Sequence, residues 1–129
     1  MDWKKVAQDT SQAYANFGFD LPQFFVPAQS LSGGNLQRLT IARELFSKPK
    51  LIVASYLTRG LDVQSTLAAQ QALRDARDAG NGVLLISEEL DELFELSDRL
   101  LVLFAGRITG QFTPQTTSQR EVGLLMTGS

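Results

Sequence analysis

Three unbroken apolar runs, Leu51-Ile52-Val53-Ala54, Val83-Leu84-Leu85-Ile86 and Leu100-Leu101-Val102-Leu103-Phe104, constrain this chain more than any other feature. Short runs without polar alternation are the pattern of parallel strands covered on both faces, and such strands need helices to cover them. Between the first two runs, Ala69, Ala72, Leu73 and Ala76 share one helix face that closes at Gly80. The segment therefore reads strand, helix, strand, and an α/β layer architecture follows.

Composition narrows the function classes. With 129 residues and 43% hydrophobic content, the chain has material for one packed domain. A formal net charge of −2 points to neither nucleic acid nor an anionic membrane surface through bulk electrostatics. Cysteine and histidine are both absent, which excludes disulfides, thiolate metal sites and every histidine-based base, triad or metal ligand. No apolar run approaches the ~20 residues that span a bilayer, and Met1-Asp2-Trp3-Lys4-Lys5 lacks the apolar segment of a signal peptide, so a soluble, cytosolic chain is expected.

Taken in order, Trp3, Val6, Ala7, Thr10, Tyr14 and Phe17 recur at helical spacing and predict an amphipathic helix ended at Gly18, its aromatic stripe facing the core. Phe24-Phe25-Val26-Pro27 reads as a loop. A second helix is expected from about Gly33 to Phe46, with Leu36, Leu39, Ala42, Leu45 and Phe46 on its apolar face and Lys48-Pro49 stopping it. Glu88 to about Leu96 predicts a further helix whose Glu88, Glu89, Asp91 and Glu92 form a solvated, acidic first turn. Ala105-Gly106 is a tight hairpin leading into Ile108–Phe112, and Ser118-Gln119-Arg120-Glu121 is a capping box opening a short last helix through Met126. No internal repeat interrupts this order.

Leu31-Ser32-Gly33-Gly34-Asn35 opens directly into a helix. A serine hydroxyl and free backbone N–H groups at the positive end of a helix dipole form an anion site, and phosphate is the natural guest. Alone, such a turn serves any loop as well. Together with Leu36-Gln37-Arg38, Ile41-Ala42-Arg43, Pro49, the run Leu51 to Ala54 and Thr58-Arg59-Gly60-Leu61-Asp62-Val63, it closely resembles the ATP-binding cassette family. The wording is similar to the second cassette of the fused ATPase subunits of simple-sugar and nucleoside importers.

The resemblance implies a partial P-loop NTPase core with part of its helical subdomain. Residues 1–48 would hold the helical subdomain and signature helix, 49–113 the core from the Walker B strand to the hairpin, and 114–129 the C-terminal helix. No Gly-x-x-x-x-Gly-Lys-Ser/Thr occurs: Lys4, Lys5, Lys48 and Lys50 are never followed by Ser or Thr, so the Walker A motif is missing. The Walker B carboxylates of the family align with Ser55 and Tyr56, of which a serine offers no carboxylate and a tyrosine is a poor base at neutral pH. The switch histidine aligns with Glu88, whose reading as a surface acid stays open. Hydrolysis at the chain's own site is expected to be crippled, with no metal held.

The half of the site that cassettes lend to a partner is intact. By resemblance, Ser32, Gly33, Gly34 and Asn35 would contact the phosphate of ATP bound by an opposing cassette, and Asp62 in the D-loop would couple the two sites, although an Asp before a helix is also an ordinary cap. Asp98-Arg99 matches the family as a structural pair. In such cores the Walker A strand lies between the second and third strands, so their edges should close by direct pairing, strand exchange or a neighbouring molecule.

The implied function is a fragment of a sugar or nucleoside importer's energy-coupling ATPase, working with a second cassette and transmembrane permease subunits at the inner face of the membrane. ATP and Mg²⁺ belong to the full assembly, and the chain alone should bind neither tightly. Two alternatives are a free-standing truncated protein that binds a partner through the Trp3–Phe17 helix, and a cassette ATPase of DNA repair. Near-neutral charge and the Thr58–Val63 wording argue against the second, and nucleic acid is not an expected partner.

Overall fold

Each element ends where a specific backbone bond closes it. A computed structural model describes residues 2–16, 18–19, 26–47 and 49–128. Helix α1, Trp3–Asn16, stops when the Phe19 N–H reaches the Tyr14 carbonyl at 3.1 Å and the Gly18 N–H reaches that of Ala15 at 3.2 Å, with Gly18 at φ +63. This is a Schellman closure, and its usual apolar contact is made by the Tyr14 and Phe19 rings, edge to face at 6.3 Å. The same closure ends helix α3, Val63–Asp78, at Gly80.

The chain packs as two compact units, Met1–Leu84 and Leu85–Ser129. In the first, α1 packs on helix α2, Gly33–Phe46, whose bounds match the sequence expectation. Ala13, Tyr14, Phe19, Ile41, Ala42 and the Ala69 of α3 form its core. Two expected faces need correction. On α1 the stripe leaves Trp3 62% exposed and Val6 exposed too, because the helix buries only Ala13 and Tyr14 near its C-terminal end; Phe17 lies outside the described residues. On α2, Ala42 turns inward as expected, with Ile41 beside it; Leu36, five and six positions from these two, falls well round the helix and stays exposed, and Phe46, on the Ala42 side but at the last residue of the helix, is exposed as well. Of the predicted loop and helix stop, Phe24, Phe25 and Lys48 are likewise outside the described residues.

Strand β1, Leu51–Ser55, is hydrogen-bonded to strand β2, Gly82–Ile86, across the α3 connection. The Asn81 side chain donates to the Pro49 carbonyl, and the Gly82 N–H to that of Lys50 at 2.9 Å, which fixes where β2 begins. Burial along both strands alternates rather than covering both faces as expected: Ala54 is buried, whereas Leu51 and Val53 are 61% and 58% exposed. Two-sided burial needs a packing layer on each face, and the alternation shows that these strands do not have cover on both.

The second unit is a hairpin clasped by two helices. Strands β3, Leu100–Phe104, and β4, Arg107–Phe112, pair antiparallel about Ala105 at φ 47 and Gly106 at φ 75, the two positive angles that a two-residue turn of matching twist requires. Phe104 pairs with Arg107, so β4 starts one residue earlier than predicted, and a bulge follows between Val102 and Leu103. Leu100, Val102 and Val122 form the core with Leu90, Leu93, Phe94 and Phe112 around them. The ladders β1–β2 and β3–β4 are separate sheets, so direct pairing of β2 with β3 is not how their edges are met among the described residues.

Helix α4 is Leu90–Leu96, shorter than expected, because the Ser87 hydroxyl accepts the Glu89 N–H at 3.1 Å and holds the preceding residues in a turn. Glu88 and Glu89 thus precede the helix, leaving Asp91 and Glu92 in its first turn. The acidic cluster is not all solvated: Glu92 is only 6% exposed, while Asp91 accepts from Gln119 of helix α5, Gln119–Met126, at 2.7 Å. Only half of the capping box forms as expected. Ser118 Oγ accepts the Glu121 N–H at 3.2 Å, but the Glu121 carboxylate accepts the Thr117 hydroxyl at 2.6 Å.

Tyr14 tests the packing argument, since its ring fills the first core while its hydroxyl is buried without a partner among the described residues. Tyr14→Phe should hold or raise stability by up to about 1 kcal/mol, whereas Tyr14→Ala should cost about 3–5 kcal/mol. Urea unfolding midpoints of the two variants check this, and a large loss in Tyr14→Phe would contradict it.

Candidate functional site

The Leu31–Asn35 turn is built by a cap. Ser32 stands in extended backbone, φ −60 and ψ 157, as N-cap of α2, and its carbonyl accepts the Leu36 N–H at 2.9 Å to start the helix. Its Oγ accepts the Asn35 N–H at 3.3 Å. An oxygen used as acceptor keeps its own proton, so Ser32 still has an O–H to donate. The N–H groups of Gly33 and Gly34 lie in the first turn, where no carbonyl of the helix can reach them. Ser32 and Gly33 are exposed and Gly34 and Asn35 half-buried. Several donors at a helix N-terminus can therefore meet one anion.

A second loop stands beside this turn. A Cβ on Gly34 would sit 3.7 Å from the Gly60 carbonyl, an ordinary contact that measures how close the two backbones come. Gln37 of α2 donates to the Leu57 carbonyl at 2.6 Å. Asp62 is the N-cap of α3: its carboxylate accepts the Ser65 N–H at 2.9 Å and the Ser65 hydroxyl at 2.9 Å. The Arg38 guanidinium also pairs with this carboxylate. Asp62 is thus a cap, the plainer of its two sequence readings, and is also tied to the signature helix. Its carboxyl is held below its ordinary pKa, first by the Ser65 N–H, then by the Ser65 hydroxyl, with a smaller contribution from the Arg38 charge.

Ser55 and Tyr56, the residues expected at the Walker B positions, offer no carboxylate. Ser55 ends β1 and is exposed; Tyr56 follows at φ 50, its ring 5.9 Å from the Arg59 guanidinium. Among the described residues no group of three His, Cys, Asp or Glu side chains is placed to hold a metal ion. Glu88 is exposed in the second unit. Ser32, Gly33, Gly34, Asn35 and Asp62 all belong to the first unit, where one arginine links Asn35 with Asp62. Sequence reasoning quoted Gln37 and Arg38 only as part of the motif and gave them no role, and it did not name Ser65. The spacing Asp62-x-x-Ser65 is a readable cap, but the pairing of Arg38 with a residue 24 positions away is visible only in the fold.

No protein-family model matches the chain. It is 47% identical over 108 residues to the guanosine import ATP-binding protein NupO of Bacillus subtilis, covering 84% of this chain and 21% of that protein. To the nucleoside import ATP-binding protein NupA of Lactococcus lactis it is 41% identical over 128 residues, 99% of this chain and 25% of the relative. A ribose import ATP-binding protein of Rhizobium etli is 44% identical over 102 residues, 79% and 20% of the two chains. The chain belongs to the ATP-binding cassette ATPases.

Solved structures agree on the fold. The ATP-binding subunit of an ABC transporter superposes with a TM-score of 0.80 at 18% identity, over 94% of this chain and 54% of that one. A dimeric ATP-binding cassette bound to ADP and Pi gives 0.78 at 21% identity, over 88% and 49%. The fold is part of a P-loop NTPase core, without the Walker A motif. The chain spans about a fifth of the length of the import proteins it matches. No helix among the described residues is long and apolar enough to cross a membrane.

Because the Asp62 pKa is lower in the folded chain, its contribution is fully present above the unfolded carboxylate pKa, about 3.9, and is lost as pH falls through the folded value. Urea midpoints measured from pH 7 down to pH 3 should fall more steeply in the native chain than in Asp62→Asn. Parallel curves would show that the Ser65 and Arg38 contacts do not bias this carboxyl.

Proposed function

We propose that this chain supplies the signature half of an ATP site completed by a second cassette, within the energy-coupling ATPase of a sugar or nucleoside importer. One contrast carries the reading: the Leu31–Asn35 turn keeps its donors, while Ser55 and Tyr56 have no carboxylate to offer. The import proteins named above support the transport class, and the dimeric cassette bound to ADP and Pi supports pairing. In this reading residues 1–48, 49–113 and 114–129 are the signature-bearing, core and C-terminal parts of one incomplete cassette.

ATP held by the partner supplies the phosphate that is cleaved. The Ser32 O–H and the Gly33 and Gly34 N–H groups stabilise charge growing on its terminal oxygens, as preorganised donors do in a site shielded from water. Proton transfer is left to the partner, since neither Ser55 nor Tyr56 is a competent base at neutral pH. Asp62 holds the neighbouring loop in register with the signature turn, and Glu88 takes no part. Permease subunits would place the assembly on the inner face of the membrane.

The exposed Trp3 and Val6 on α1 favour a second reading, a non-catalytic partner that docks through that helix. The two readings part in one assay, phosphate release by the chain in complex with a cassette carrying an intact P-loop. Ser32→Ala should lower kcat by roughly 10²-fold with little change in the KM for ATP, and the chain alone should release no phosphate. Unchanged kcat in Ser32→Ala, or loss caused by Trp3→Ala in its place, would favour docking.

A further inference from the structure

The guanidinium of Arg38 has three acceptors on two helices. Its Nη1 donates to Asn35 Oδ1 at 3.3 Å, its Nε donates to Ser65 Oγ at 2.7 Å, and its Nη2 pairs with the Asp62 carboxylate. The Arg38 side chain is 18% exposed and Ser65 is 5% exposed, so little water competes for the bond between them, while the Asp62 side chain, 56% exposed, stays open to water on its outer side. Asn35 is held from both ends, its side chain by Arg38 and its backbone N–H by Ser32 Oγ. A continuous line of bonded groups therefore runs from Ser32 through Asn35 and Arg38 to Asp62 and Ser65. Because a guanidinium is planar and rigid, its three acceptors cannot shift independently without breaking a bond.

We infer that Arg38 is a positioning residue that sets the aim of the Ser32 and glycine donors by locking the signature turn to the Asp62 loop. The inference rests on the phosphate-facing role proposed above for that turn. A movement of the Asp62 loop turns the guanidinium, which changes the hold on Asn35 and, through the Asn35 N–H, the rotamer of the Ser32 hydroxyl. Binding energies couple in both directions, so phosphate held at Ser32 in turn favours one position of the Asp62 loop. Lysine in place of Arg38 keeps the charge but has no fork. It can neutralise Asp62, yet it cannot hold Asn35 and Ser65 in one plane.

The test combines two measurements on Arg38→Lys and Arg38→Ala. In the 129-residue chain, amide hydrogen exchange at Asn35 should speed up at least tenfold in both variants while exchange in the α1 and α3 core stays native. In complex with a P-loop cassette at saturating ATP, Arg38→Lys should lower kcat about tenfold with the KM for ATP unchanged, and adding Asp62→Asn should lower it no further. A purely structural tie would move the unfolding midpoint and leave kcat at saturating ATP alone. If Ser32→Ala lowers kcat while Arg38→Lys turns over like the native chain, this inference is overturned and the signature reading stands. If Ser32→Ala itself has no effect, both fall. Should Arg38→Ala fail to fold, the lysine variant decides, and additive losses from Arg38→Lys and Asp62→Asn would count against a shared linkage.

Discussion

The Asp62 carboxylate is the contact on which the candidate site depends. It caps α3 through the Ser65 N–H, accepts the Ser65 hydroxyl, and neutralises the Arg38 guanidinium that reaches it from α2. An exposed ion pair alone would contribute little, because water competes for both partners. Here the cap bonds also orient the carboxylate, and the arginine is largely covered. Local backbone chemistry in α3 thereby fixes the position of a loop that stands beside the Ser32–Asn35 turn at the start of α2.

That arrangement lets the Leu31–Asn35 turn stay ordered whatever side chains end β1. Ser55 and Tyr56 follow from β1, whereas Ser32 to Asn35 follow from the start of α2, and the two are supported by different bonds. Loss of carboxylates from the strand leaves the cap of α2 untouched. The chain matches about half of a solved cassette, and its strands keep an exposed apolar row in Leu51 and Val53.

Much of the fold was legible because helix ends and turns are local chemistry. Ser32 and Ser118 as caps, Gly18 and Gly80 as closures and Ala105-Gly106 as a hairpin each depend on a few adjacent residues. The apolar faces were read less well. Periodicity placed Ala42 inward on α2 and Leu39 and Leu45 against the core, as observed, but it missed Ile41 and included Leu36 and Phe46, which stay exposed, since the buried side is chosen by the neighbour and not by the helix. Glu92 looked solvated among acidic residues for the same reason: a charge pattern does not reveal which side of a short helix is covered.

The sequence by itself determined the family, the order of strands and helices, the absence of a Walker A motif and of carboxylates at Ser55 and Tyr56, and the presence of the signature turn. These are matters of residue identity and near-neighbour spacing, which a linear chain states directly. Only the tertiary structure decided that Arg38 bridges Asn35, Ser65 and Asp62, that Gly34 approaches Gly60, and that the two ladders are separate sheets. Each of these joins residues distant in sequence. Such contacts depend on where the helices and loops come to rest, and that is set by the packing of the whole unit.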